Sequence, residues 1–194
     1  MNSSYAVNHY SDVFKSIVSA FQPTACVELG VLEGYSAVAI GEGLKSNYLL
    51  SGQKGHLEAY DLFGNYPYRH SSMEEVLENV EAAGLSEWIT IKEADAFLAH
   101  QLYGNSSVHF LHVDLSNTGE TVRRIMEFWD EKMVQGGVIC FEGGSNERDQ
   151  VEWMGRYGAK PIKPELEGND VIAEKYVFGT YFKFPSMTCL LKKR

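Results

Sequence analysis

The chain has 194 residues, the size of one α/β domain, and its 17 basic and 26 acidic side chains leave a net charge of −9. That balance, with no basic block, argues against a phosphate-neutralising nucleic-acid face, and no apolar run approaches the ~20 residues of a membrane span. Met1 to Tyr10 is polar and aromatic rather than signal-like, and Cys26, Cys140 and Cys189 form no C-x-x-C pair, so a cytoplasmic protein with buried, reduced thiols is expected.

Tyr5 to Phe21 carries Val13, Phe14, Ile17, Val18 and Phe21 at helical spacing, and Pro23 ends the run. Thr24-Ala25-Cys26-Val27 is a short apolar strand entering the acidic Glu28. Gly30, Gly34 and Ser36 follow, and Ala37 to Ile40 opens a helix that runs to about Leu50. Strand, glycine turn and helix in that order point backbone N–H groups and the positive helix end at a ligand on the strand's carboxyl edge. Gly30 lets the chain leave the strand sharply, Gly34 leaves room for a ligand against the backbone, and Ser36 is placed to cap the helix or bond the ligand. A dinucleotide G-x-G-x-x-G starting at Gly30 needs glycine at position 32, where Leu32 stands, so a nicotinamide oxidoreductase is disfavoured.

His56 to Asp61 is a second strand, and an acid at its end can accept both hydroxyls of a ribose. Leu62 to Ser72 is an aromatic loop that either walls a site or packs. Met73 to Ala83 is helical up to Gly84, Trp88 to Ile91 is a third strand, and Glu93-Ala94-Asp95-Ala96 follows it. Val108 to Asp114 is a fourth strand, again ending in an acid. Thr118 to Met133 is a helix with Val122, Ile125, Met126 and Trp129 on one face, and Gly136-Gly137 turns into a fifth strand, Val138 to Glu142. Asn146 to Tyr157 is a further helix. Strand candidates then stand at Lys160 to Ile162, Tyr176 to Tyr181 and Met187 to Leu191, and Lys192-Lys193-Arg194 is a solubilising end. These elements predict a doubly wound, mostly parallel α/β sheet with a terminal antiparallel strand pair, in a single domain spanning residues 1–194.

The pattern E-x-G-x-x-x-G-x-S resembles the first motif of class I S-adenosylmethionine-dependent methyltransferases, and Glu28-Leu29-Gly30 through Gly34-Tyr35-Ser36-Ala37 is similar to the catechol O-methyltransferase branch. That cofactor carries a sulfonium, an ammonium and a carboxylate but no pyrophosphate, so an acid beside the turn suits it. The resemblance covers Val27 to Ser145 closely. It implies cofactor contacts from Glu28, Gly30, Gly34 and Ser36, ribose binding by Asp61, and adenine contacts from Asp95 and Ala96.

Methyl transfer needs alignment of acceptor and cofactor and removal of a proton from the acceptor. Asp114 and Glu142 close adjacent strands and are the candidate catalytic residues, and together they could hold Mg²⁺. The resembled branch also has a lysine base three residues after its first metal-binding acid and an Asp-Asn pair after the fifth strand. Asn117 and Glu142-Gly143 stand there instead, which disfavours a metal. Two like charges at close range would raise the proton affinity of one acid and make it a general base. His112 is either a base or a packed core residue, and nothing ranks His9, His70 and His100. The expectation is an S-adenosylmethionine-dependent methyltransferase acting at oxygen on a small-molecule acceptor, with no nucleic-acid or membrane partner and with a homodimer allowed. A binding or scaffolding protein of the same fold that has lost catalysis is the alternative.

Overall fold

The computed structural model describes residues 1, 3–65 and 71–194. The chain forms two compact units, Met1–Leu102 and Tyr103–Arg194. The expected N-terminal helix is split. A 3₁₀ turn, Ser4–Asn8, precedes α1 (Tyr10–Phe21), because His9 between them takes a left-handed φ of 53°. Tyr10, Phe14 and Val18 are buried on one face of α1, while Val13 and Phe21 of the predicted stripe are exposed.

In the first unit, β1 (Ala25–Leu29), β2 (His56–Asp61) and β3 (Ile89–Glu93) pair in parallel, with Val27 beside Glu58 and Ala59 beside Ile91. Between them run α2 (Tyr35–Ser51) and α3 (Met73–Ala82). Parallel strands need such crossovers, and their apolar residues are buried accordingly: Leu29, Leu57 and Ala59 are fully inaccessible. Helix α2 lies close on α1 because Gly43 has no side chain; a Cβ there would come within 2.8 Å of Val18 Cγ1. The buried Asn47 of α2 donates from Nδ2 to the Val18 carbonyl at 2.9 Å, a second bond to an acceptor that the Gln22 N–H also meets in the last turn of α1.

The second unit contains β4 (Val108–Val113), β5 (Met133–Glu142), β6 (Tyr176–Tyr181) and β7 (Met187–Lys192). Strands β4 and β5 are parallel, and β7 is antiparallel to both β5 and β6. The seven-stranded sheet has the order β3-β2-β1-β4-β5-β7-β6, a doubly wound, mostly parallel α/β sheet ending in the expected antiparallel pair. Helices α4 (Gly119–Trp129), α5 (Glu152–Arg156), α6 (Ile162–Gly168) and α7 (Asp170–Lys175) complete the unit.

Three expectations fail here for identifiable reasons. Gly136-Gly137 lies within β5 rather than before it: the register moves from Val108 beside Met133 to Phe110 beside Val138, so the glycines occupy a bulge, with Gly136 at φ 78°. The helix foreseen over Asn146 to Tyr157 is broken at Val151, whose ψ of 142° is extended. Lys160 to Ile162 opens a helix instead of a strand, because the Asp149 carboxylate accepts the Ile162 and Lys163 N–H groups at 2.8 Å each and so caps α6. The basic tail is also structural. Lys192 Nζ donates to the Met133 carbonyl at 3.2 Å and pairs with Asp130, and Lys193 donates to the Ala173 and Glu174 carbonyls.

Asp130 is a buried hub joining the end of α4 to β6 and β7. It accepts from Lys175 Nζ at 2.6 Å and Tyr176 Oη at 3.0 Å. Burial alone would raise its carboxyl, but the hydrogen bonds from Lys175, Lys192 and Tyr176 outweigh burial and hold it below the usual aspartate range. All three cysteines are reduced, and Cys140 of β5 faces Cys189 of β7 with the sulfurs 3.2 Å apart. Among the described residues, no helix is long and apolar enough to cross a membrane.

Candidate functional site

The first unit brings Glu28, Gly30, Gly34, Ser36, Asp61, Asp95 and Ala96 to the carboxyl ends of β1, β2 and β3. Glu28 is the fourth residue of β1 and fully buried. Ser36 lies in the first turn of α2, buried, and its hydroxyl donates to Glu28 Oε1. It is therefore not the helix cap: Gly34 occupies the N-cap position, at φ 86° and with no side-chain cap. Gly30, at φ 87°, extends the β1–β2 pairing by donating to the Tyr60 carbonyl at 2.8 Å before the chain turns away.

Gly34 has a structural duty in the turn. Its φ is one that L residues avoid, and a Cβ would come 3.2 Å from Val76 Cγ1 of α3. Leu32, the residue that departs from the dinucleotide fingerprint, itself takes a left-handed φ of 50°. The turn therefore keeps a backbone that glycine favours while carrying a leucine, and something must hold it there.

Asp61 does so. Its Oδ2 accepts the N–H groups of Val31 at 2.7 Å and Leu32 at 3.1 Å, and its Oδ1 accepts the Phe63 N–H at 2.9 Å. The carboxylate at the end of β2 is thus bonded into the glycine turn after β1. The Asp61 carbonyl accepts the Ala94 N–H at 2.9 Å, which ties the exit of β3 to the same edge. Beyond it, the exposed Asp95 closes a short turn by accepting the Phe97 N–H at 2.9 Å, and Ala96 is buried. Of the aromatic loop, residues 66–70, which include His70, lie outside the described residues.

The second unit holds Asp114 and Glu142. Val113 pairs with Phe141, so each acid stands one position beyond a matched pair at the carboxyl ends of β4 and β5. Asp114 Oδ1 accepts from Asn117 Nδ2 at 3.3 Å, and Asn117 is buried. Glu142 Oε1 accepts from Arg148 Nε at 2.7 Å, an ion pair whose side chains are only 12% and 6% exposed. Arg148 was not foreseen. It lies six residues past the strand, in a 3₁₀ turn (Arg148–Gln150), and only the way the chain turns back at Gly143 and Gly144 brings it to Glu142. Glu142 therefore does not stand beside Asp114 as an uncompensated like charge, because its carboxylate is paired with the Arg148 guanidinium.

A divalent cation does not fit the pair. Glu142 is committed to Arg148, and among the described residues no three His, Cys, Asp or Glu side chains gather as a metal site. Gly143 stands where the resembled branch has an asparagine ligand, and its φ of 118° would strain any side chain placed there. His112 is fully buried within β4, the packed alternative. His9 is exposed, and the His100 ring donates from Nδ1 to the Phe97 carbonyl at 2.9 Å.

The methyltransferase-domain family matches residues 27–142, more than half of the chain. The chain belongs to that family. No curated protein matches this methyltransferase significantly. Among solved structures it is similar to a Podospora anserina methyltransferase bound to S-adenosylhomocysteine (TM-score 0.68, 15% identity, covering 100% of this chain and 80% of that one). It is also similar to a Bacillus cereus O-methyltransferase in complex with the same product (0.66, 14%, covering 95% and 81%). A third likeness is to the Streptomyces achromogenes O-methyltransferase TomG, involved in tomaymycin synthesis and solved with S-adenosylmethionine (0.66, 12%, covering 96% and 80%). At these identities the likeness establishes the fold.

Proposed function

We propose that this single-domain methyltransferase, residues 1–194, uses S-adenosylmethionine to methylate an oxygen of a small-molecule acceptor in the cytoplasm. One observation carries the cofactor assignment. In a dinucleotide site, the N–H groups of the turn after β1 face a pyrophosphate. Here the Val31 and Leu32 N–H groups are taken by the protein's own Asp61 carboxylate. That edge is acidic, with Glu28, Asp61 and Asp95 at three strand ends, and favours a ligand with positive and hydroxyl groups over a diphosphate.

When bound, the cofactor supplies a methyl group from its sulfonium and leaves as the neutral thioether. Asp61, whose three backbone bonds leave about one of a carboxylate's four lone-pair sites, accepts a ribose hydroxyl, and Asp95 and Ala96 border the adenine. Glu28, Gly30, Gly34 and Ser36 shape the turn that receives the methionine end. Asp114 takes the proton from the acceptor hydroxyl, while Glu142 holds Arg148 in place.

Calorimetric titration tests the reading. S-adenosylhomocysteine binds the full chain with one site and NADH does not. Binding of NADH alone, or of neither, would remove the assignment. Asp114→Asn lowers turnover at least tenfold with unchanged S-adenosylhomocysteine affinity.

A further inference from the structure

The carboxyl end of β5 carries a positive group where the resembled branch carries a metal. Arg148 is 5% exposed, and its guanidinium stays charged at any relevant pH. Of the five N–H donors of a guanidinium, Nε serves Glu142 and one on Nη1 faces the Met154 sulfur at 3.4 Å. Five minus two leaves three donors with no protein acceptor among the described residues. The Nη2 donors are not sealed from solvent and so are open to a ligand: among the described residues, Arg148 has no buried side-chain nitrogen without a partner. Beside it, the half-buried Trp153 ring lies with its centre 5.1 Å from the guanidinium carbon.

The position also repels a cation. A guanidinium 2.7 Å from Glu142 sets a full positive charge against any metal that carboxylate could bind. The backbone of Gly143 is spent as well: its carbonyl accepts the Thr188 hydroxyl at 2.8 Å, and its N–H donates to the Ser186 carbonyl at 2.7 Å.

We propose that Arg148 takes the place of a divalent cation in this methyltransferase, and that the acceptor, besides the hydroxyl that Asp114 deprotonates, presents a separate anionic oxygen on an aromatic ring to its spare donors. The inference rests on the methyltransferase reading above. Glu142 fixes the guanidinium, Trp153 offers a flat apolar wall beside it, and an aromatic carboxylate or acidic phenol matches both. Such an acceptor need not carry the two vicinal oxygens that chelation of a metal requires.

The probes are benzoate and benzyl alcohol, similar in shape and different in charge, titrated into the full chain saturated with S-adenosylhomocysteine. Benzoate binds at least tenfold more tightly than benzyl alcohol. Arg148→Gln loses roughly tenfold to a hundredfold of benzoate affinity, the equivalent of a charge-assisted hydrogen bond, and keeps S-adenosylhomocysteine affinity. Mn²⁺ followed by electron paramagnetic resonance stays free in solution. Absence of benzoate binding, equal affinity for the two probes, an unchanged Arg148→Gln, or Mn²⁺ binding that Asp114→Asn abolishes would each overturn the proposal. Should Arg148→Gln not fold, the two-probe comparison and the Mn²⁺ measurement on the unmodified chain decide alone. Failure of S-adenosylhomocysteine binding would instead strike the methyltransferase reading itself.

Discussion

Replacement of Asp61 separates its two duties, holding the turn and binding the cofactor. In Asp61→Ala the N–H groups of Val31, Leu32 and Phe63 all lose a charged acceptor. A hydrogen bond to a charged group contributes about 1.5–3 kcal/mol, and water at this half-buried site recovers part of that, so the three together cost about 2–4 kcal/mol. For a chain of this size, Tm falls by about 2–4 °C per kcal/mol, giving a drop of roughly 4–16 °C. Asp61→Asn behaves differently. Its carbonyl oxygen can turn toward Val31 and Leu32, so only the Phe63 N–H is left without an acceptor, at about 1 kcal/mol and roughly 2–4 °C. The neutral amide still weakens S-adenosylhomocysteine by about tenfold, because it loses the charge assistance. Differential scanning fluorimetry with calorimetry on both variants gives the comparison. An Asp61→Ala chain as stable as the original would show that the carboxylate does not hold the turn, and unchanged S-adenosylhomocysteine affinity would remove it from the cofactor site.

Gly34→Ala lowers Tm before any question of ligand arises, because the left-handed φ of 86° costs an L residue about 1–2 kcal/mol and the new Cβ presses on Val76. A variant of unchanged Tm would return the glycine to a purely ligand-facing role. The depressed carboxyl of Asp130 contributes stability that is fully present above the unfolded-state aspartate value, about 4, and is lost as the pH falls through the lower folded-state value. Urea unfolding across that acid range should therefore show a steeper loss in the original chain than in Asp130→Asn; parallel curves would refute the linkage.

Strands with a clear apolar run, Ala25–Leu29, His56–Asp61 and Val108–Val113, were legible in the sequence, as was the closing pair Tyr176–Tyr181 and Met187–Lys192. What escaped depends on partners distant along the chain. Lys160-Pro161-Ile162 looks extended on its own; the carboxylate that makes a helix start there belongs to Asp149, 13 residues before Ile162. Gly136-Gly137 reads as a turn, yet the pairing of Met133 with Val108 keeps it inside a strand. At the site, residue order was enough to put Glu28 and Asp61 near the ends of β1 and β2 and Asp95 just beyond β3. The partners of Asp61 and Glu142 were not legible, because backbone N–H groups carry no sequence signature and Arg148 reaches Glu142 only through a glycine turn.

Strand β7 lies between β5 and β6 although it is the last of the seven to leave the ribosome. Strand β5 ends at Glu142 and β7 begins at Met187, so residues 143–186 are translated while that edge of β5 has no partner. At about 5–20 residues per second this interval lasts roughly 2–9 s. The waiting edge reads Val138-Ile139-Cys140-Phe141, an apolar stretch of the kind that pairs with other chains. Strand β6 emerges first and cannot close the gap, since it pairs with β7 rather than with β5. Synthesis therefore sets a period in which newborn copies are most prone to associate with one another, and slower translation of residues 143–186 lengthens it.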